Sequence, residues 1–302
     1  MHTVIRRFMM DKSKSPTPIC LYRDKIFANV SLWRLFVSVL IIATYVASFT
    51  GCTNGSGAND DTSPAGPYVR VPFGPNGTTL DTYLKTADPA SDGVYYIEVM
   101  NLTKEDLKGT DGSPSKPGQL GKILQANNGK KVAVKLGGTI EDLTDMSFCF
   151  YECKNLVRVP FIPSGVTNMR GCFYDCAKLE EAPELPQSVA DMSFCFYRCS
   201  SLIKVFEIPS SVTDMRCCFF ECINLIRPPK ISSGVTSMIN SFSRCEKLAQ
   251  APEIPSSVTN MNGCFDGCKS LTQAPEIPAS VTAMYYCFCD CTSLTKSPAI
   301  PS

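Results

Sequence analysis

Cysteines are the residues best placed to do chemistry. Pairs of the form Cys-Phe-x-x-Cys occur at Cys149/Cys153, Cys172/Cys176, Cys195/Cys199, Cys218/Cys222, Cys264/Cys268 and Cys287/Cys291, and Ser241 takes the first place before Cys245. Thirteen of the 17 cysteines belong to this pattern; the others are Cys20, Cys52, Cys217 and Cys289. Such thiols can ligate metal, form disulfides, carry redox chemistry or simply pack. A tetrahedral zinc site needs four sulfurs converging on one point, whereas a fixed repeat spreads them along an axis. Two cysteines four apart on a helix cannot easily bridge, and a disulfide needs Cα atoms closer than about 7 Å, although bridges between repeats are conceivable. Serine in one cysteine slot favours packing, because free cysteine behaves as a small, often fully buried hydrophobe.

Other chemistry is limited by composition. The only histidine is His2, so histidine-based triads, histidine general bases and mixed Cys/His zinc sites have no members further along the chain. No glycine-rich phosphate loop occurs. The whole chain carries a formal +1, and residues 52–302 carry 22 basic against 26 acidic side chains, or −4. That balance argues against nucleic acid, which needs clustered basic surface. The expectation is a non-enzymatic protein with no catalytic residue, no metal site and no cofactor.

The cysteines are positioned by a repeat. Methionines fall at Met146, Met169, Met192, Met215, Met238, Met261 and Met284, each step 23 residues without a gap. Counted from methionine, Cys, Phe, Cys and Leu lie at offsets 3, 4, 7 and 10, a spacing that predicts one face of a short helix. Segments such as Thr272-Gln-Ala-Pro-Glu-Ile-Pro predict a brief extended piece ending at a proline turn. A fixed period of this size is the signature of a solenoid, whose units bury their apolar faces against neighbours. If the extended pieces pair in parallel, coils are spaced by about 4.8 Å. Pro183, Pro252 and Pro275 cannot donate to a ladder, so the expected sheet is short or bulged, with pairing concentrated after that proline.

The unit resembles the bacterial surface leucine-rich repeats of the BspA type, also called Treponema-type repeats. The match runs through Val258-Thr259-x-Met261, Cys264-Phe265, Cys268, Leu271 and Ile277-Pro278, and equivalently in the other copies. It departs where cysteine takes the small-residue place before phenylalanine and where an extra Ala-Pro lengthens the extended piece. The resemblance implies an α/β solenoid, a right-handed leucine-rich-repeat coil of seven 23-residue repeats over residues 139–302, with a β-α-β N-terminal cap over 68–138. It transfers no catalytic residue. It implies a cell-surface recognition or adhesion protein whose partner is a protein or glycan of a host or neighbouring cell. The alternative is a structural surface protein without a specific ligand.

The N-terminal stretch fits that setting. Seven basic residues from Arg6 to Arg34 precede an uncharged run from Leu35 to Gly51, which ends Phe49-Thr50-Gly51-Cys52. This reads as a secretory signal over residues 1–51, and its end resembles a bacterial lipoprotein signal with Cys52 acylated after cleavage. An uncleaved signal anchor is the other reading. Both export the remainder, the lipoprotein reading to the outer membrane and cell surface. Residues 53–67 are small and polar, a flexible tether. In the cap region, Thr79–Ala87 and Gln119–Asn127 read as helices, and Val94–Met100 and Lys131–Leu136 as strands.

Two positions in the extended piece vary while their neighbours stay fixed. The twelfth residue after methionine reads Arg158, Glu181, Lys204, Arg227, Gln250 and Gln273, with Lys296 closing the series. The fifteenth reads Glu184, Glu207, Lys230, Glu253 and Glu276, between Phe161 and Ala299. Stacking turns these into outward columns, and the eleven polar residues before Lys296 are the candidate ligand-binding set. A second candidate is the aromatic group Phe148, Tyr151, Tyr174, Phe194, Tyr197, Phe220, Tyr285 and Tyr286.

Overall fold

A computed structural model describes residues 68–112, 115–296, 298 and 299, all within one compact unit. The signal sequence, Cys52 and the tether lie outside the described residues.

The described part begins with a parallel sheet. Strands β1 (Val69–Pro72), β2 (Val94–Met100), β3 (Lys131–Leu136) and β4 (Leu156–Arg158) lie in that order, each parallel to the next. Helices α1 (Thr78–Thr86), α2 (Lys104–Leu107) and α3 (Gln119–Ala126) fill the connections. β2 is a nearly continuous apolar run because both faces are covered. Its one acid, Glu98, is almost buried and accepts from Arg70 at 2.9 Å, with Lys135 at 3.6 Å; the Arg70 hydrogen bond leads in holding its carboxyl below the usual range. Thr103 and Asp106 form a capping box that starts α2.

β4 belongs to the first of the stacked coils, so the sheet leads into the repeat with a bulge between Val132 and Ala133. One hydrophobic core runs from Val71 in β1 to Phe288. The rings Phe150, Phe173, Phe196, Phe219, Phe242, Phe265 and Phe288 stack with centroids 5.3–5.7 Å apart.

The segment from methionine to the second cysteine is not the expected helix. It is a run of turns. In the Met146 coil, Cys149, Tyr151, Cys153 and Leu156 donate backbone N–H groups three residues back at 3.0–3.2 Å. The alternate N–H groups, of Met146, Phe148, Phe150 and Glu152, donate to Asn168, Arg170, Cys172 and Tyr174 of the next coil at 2.7–2.9 Å. Left-handed residues make this possible, at Phe148 and Glu152 and at the matching places as far as Tyr286 and Asp290. Glycine, free of the Cβ penalty, fills three of those places, Gly171, Gly263 and Gly267. The inward spacing of Met, Cys, Phe and Cys is the same in a helix and in this spiral of turns, so spacing alone did not separate them.

In consequence every such N–H points one way along the stack and every carbonyl the other. At the first coil the carbonyls meet donors from the preceding unit: Ser147 O accepts from Gly109 N–H at 2.7 Å, and Tyr151 O from Gln125 Nε2 at 2.6 Å. Gly121 of α3 sits against Cys149 O, which an added Cβ would approach to 2.3 Å. At the other end, the N–H groups of Met284, Phe288 and Asp290 donate to no backbone carbonyl among the described residues.

Sheet-like pairing also falls in an unexpected place. A continuous parallel ladder joins Asp145, Asn168, Asp191, Asp214, Ser237, Asn260 and Ala283, the residues just before each methionine. In the extended piece, pairing after the proline occurs at Phe161–Glu184 and pairing before it at Glu181–Lys204. The prolines, of which Pro183 and Pro252 are buried, keep these pieces from forming a longer ladder.

Candidate recognition face

The extended pieces hold the two predicted columns on fixed supports. Inward apolar residues anchor the pieces: in the Met169 coil Leu179 and Ala182 are buried, in the Met192 coil Leu202 and Ile208. The intervening polar side chains therefore face out. Along the first column Lys204, Arg227, Gln250 and Gln273 are exposed, while Arg158 and Glu181 are half-buried. Along the second, Glu184, Glu207, Lys230, Glu253 and Glu276 are all exposed.

The columns differ in sign. The first carries Arg158, Lys204, Arg227 and Lys296 against Glu181, and the second carries four glutamates against Lys230. Pairing runs within columns: Lys204 Nζ lies 3.9 Å from Glu181, and Lys230 Nζ lies 3.8 Å from Glu207. Lys204, Lys230 and Glu207 are exposed and Glu181 is half-buried, so each pair is worth at most about 1 kcal/mol. Lys204 Nζ also sits 4.9 Å from the centre of the Phe206 ring, a residue that stands where six other coils have proline.

The structure gathers three predicted residues into one cleft. Glu207, Lys230 and Glu253 form one rim of a cavity of about 460 Å³, and Gln187, Ser210 and Ser233 form the other. Its floor is Ile208, Ile231 and Ile254. Neither this floor nor the second rim was among the candidates read from the sequence. The rim residues occupy one repeat position, the eighteenth after methionine, which is small or polar in every coil; that column was the available signal. Arg158, Glu181, Lys204, Arg227, Gln250 and Gln273 lie outside the cleft, as do Glu184 and Glu276. An apolar surface accompanies the first column at its centre, where Ile203 and Ile226 are 48% and 49% exposed.

The turn side is built differently. Tyr151, Tyr174, Tyr197 and Phe220 stack with centroids 5.0, 4.4 and 4.6 Å apart, and Phe148 and Phe194 tilt against Tyr151 and Tyr197. Their faces are covered by one another, which leaves ring edges rather than platforms. Burial raises the Tyr151 hydroxyl to about 12 and the Tyr174 hydroxyl higher. Beside them Glu221 bridges Arg198 and Arg244, each at 3.2 Å. Tyr285 and Tyr286 remain exposed.

None of the fifteen described cysteines is in a disulfide, and thirteen of them are buried. The second cysteine of a coil donates to the phenylalanine carbonyl of the coil before: Cys176 to Phe150, Cys199 to Phe173, Cys222 to Phe196, Cys245 to Phe219 and Cys268 to Phe242, at 3.0–3.1 Å. Ser241 Oγ uses the same direction, donating to Met215 O at 2.7 Å, which explains why serine fits there. Burial holds these thiols well above their ordinary ionisation range. Among the described residues, the group able to converge on a cation is Asp266, Cys289 and Asp290, all at least partly exposed. No helix among them is long and apolar enough to cross a membrane.

Comparison with known proteins follows the repeat. The BspA-type leucine-rich-repeat region matches residues 142–238 and 216–299 in six copies. The crystal structure of a leucine-rich-repeat protein from T. pallidum is 29% identical, with TM-score 0.45, covering 54% of this chain and 77% of that one. A leucine-rich cell-surface protein from Faecalibacterium prausnitzii is 17% identical, with TM-score 0.20, covering 68% of this chain and 90% of that one. No curated protein matches.

Proposed function

The chain belongs to the BspA-type leucine-rich-repeat family, and from that premise we propose that it is an exported recognition protein, held at the bacterial outer membrane through an acylated Cys52. Its working surface is the pair of outward columns, which engage a protein or glycan on another cell in adhesion. Residues 139–302 act as a stack of seven coils, residues 68–138 as the cap that satisfies the carbonyl end, and residues 52–67 as the tether. It works without catalysis or cofactor. One observation carries the reading. Side chains of differing charge at Glu181, Lys204, Arg227, Gln250 and Gln273 stand outward on supports fixed by buried leucines, the arrangement by which solenoids present extended binding surfaces.

The test is a protein and glycan array probed with the purified chain and with a Lys204→Glu/Arg227→Glu variant. Saturable binding that the variant loses supports recognition through the columns. Absence of saturable binding favours a structural surface protein, and binding the variant retains in full places recognition away from the columns. Fatty-acid labelling in a bacterial host should depend on Cys52, and undiminished labelling of Cys52→Ala contradicts the anchor.

A further inference from the structure

We infer that the cleft between the Met192 and Met238 coils is a seat for an extended basic peptide segment of the partner. The inference rests on the reading that the columns recognise a protein, and it assigns the chemistry of the ligand.

Shape comes first. A cavity of about 460 Å³ falls within the range of roughly 300–1,000 Å³ in which ligand pockets are found. Its floor is an aliphatic strip of Ile208, Ile231 and Ile254, and the strip runs along the stack.

Charge comes second. Glu207 and Glu253 stand on one rim with Lys230 between them. Lys230 faces Glu207 at 3.8 Å with both side chains about three-quarters exposed, a pair too solvated to hold either group firmly. Glu253 has no ion pair among the described residues. Glu184 and Glu276 extend the column on either side, so it carries four carboxylates against one ammonium. A cation fits this rim better than an anion.

Amphipathic form comes third. Lysine and arginine have apolar stems and charged heads. The stem lies along the isoleucine strip while the head reaches a rim carboxylate. In an extended segment, alternate side chains face the same way about 7 Å apart. Glu207 and Glu253 belong to coils two steps apart, about 10 Å at sheet spacing, a gap that two flexible lysine arms span. The opposite rim of Gln187, Ser210 and Ser233 offers an amide and hydroxyls to main-chain N–H and C=O groups. A simple polyamine has stems and charges but no main chain to use that rim.

The probe is a fluorescein-labelled Lys-Thr-Lys-Thr-Lys peptide, followed by anisotropy at low salt with the whole chain, with Glu-Thr-Glu-Thr-Glu and spermine as controls. Saturable binding of the lysine peptide alone is expected. Glu207→Gln/Glu253→Gln should weaken it roughly three- to tenfold, as for loss of two exposed pairs. Ser233→Tyr should block it sterically with the charge unchanged. Lys230→Glu should tighten it, because the one opposing charge becomes an attracting one. Circular dichroism checks the fold of each variant. The seat is overturned if the lysine peptide does not bind, if neither rim variant weakens it, if Lys230→Glu fails to tighten it, or if spermine binds as tightly as the peptide. Loss of the seat while Lys204→Glu/Arg227→Glu still abolishes partner capture leaves the wider reading standing. Capture indifferent to that variant removes the wider reading itself.

Discussion

Replacing Phe219 with alanine removes a ring that is fully buried between Phe196, 5.6 Å away, and Phe242, 5.4 Å away. Truncating a core phenylalanine to alanine costs about 3–5 kcal/mol. Each aromatic pair contributes about 0.5–1.5 kcal/mol beyond area burial, and Phe219 takes part in two. Phe288 is 8% exposed and, among the described residues, stacks on Phe265 alone, at 5.6 Å. In a stack whose stability is a sum of nearest-neighbour terms, Phe219→Ala should therefore fall near the upper end of the range, and Phe288→Ala lower by about one ring pair. A loss of this size is a large share of a typical total of about 5–15 kcal/mol. Urea unfolding followed by circular dichroism measures both variants against the parent. A loss under about 1 kcal/mol for Phe219→Ala, or an equal loss for the two, refutes the argument that the rings form an internally supported column.

Other consequences concern the thiols and the first coil. Cys218→Ser should cost little, because Met192 O occupies the place that Met215 O holds for Ser241; a large loss would show that the serine at 241 depends on something peculiar to its coil. Cys222→Arg removes a buried donor to Phe196 O and introduces an unpaired charge, with an expected loss above about 4 kcal/mol; soluble expression with native melting contradicts it. Burial raises the Cys291 and Cys287 thiols to about 11 and about 12, while unfolded thiols ionise near 8.5. Stability held by neutral thiols is thus complete below about pH 8.5 and is lost as pH rises toward those folded values, so a melting temperature constant into strong alkali speaks against burial. Gly121→Val should loosen the junction with the first coil, since a Cβ there meets Cys149 O at 2.3 Å; unchanged amide protection at Phe150 and Cys153 would contradict that contact.

The inward residues were legible because periodicity reports burial directly. Met169, Cys172, Phe173, Cys176 and Leu179 are all fully buried, as their offsets require. The backbone that carries them was not legible. Left-handed places at Phe148, Phe194, Arg198 and Arg244 hold residues with no preference for that conformation, and they are imposed by hydrogen bonds to the next coil. The clue was Gly171, Gly263 and Asn240 recurring at one offset. β1 went unread because Val69–Pro72 is four residues long and becomes a strand only by pairing with β2. Outward columns followed from the repeat. The cleft did not, because a floor at Ile208, Ile231 and Ile254 exists only once coils are stacked.

The central claim is that recognition uses the extended pieces rather than the aromatic turns. The direct measurement is backbone hydrogen exchange of the chain with and without a ligand captured from the array. Added protection should fall on residues 202–208, 225–231 and 248–254, with the turns at 192–199 and 215–222 unchanged. Protection confined to those turns, around Tyr197 and Phe220, contradicts the account.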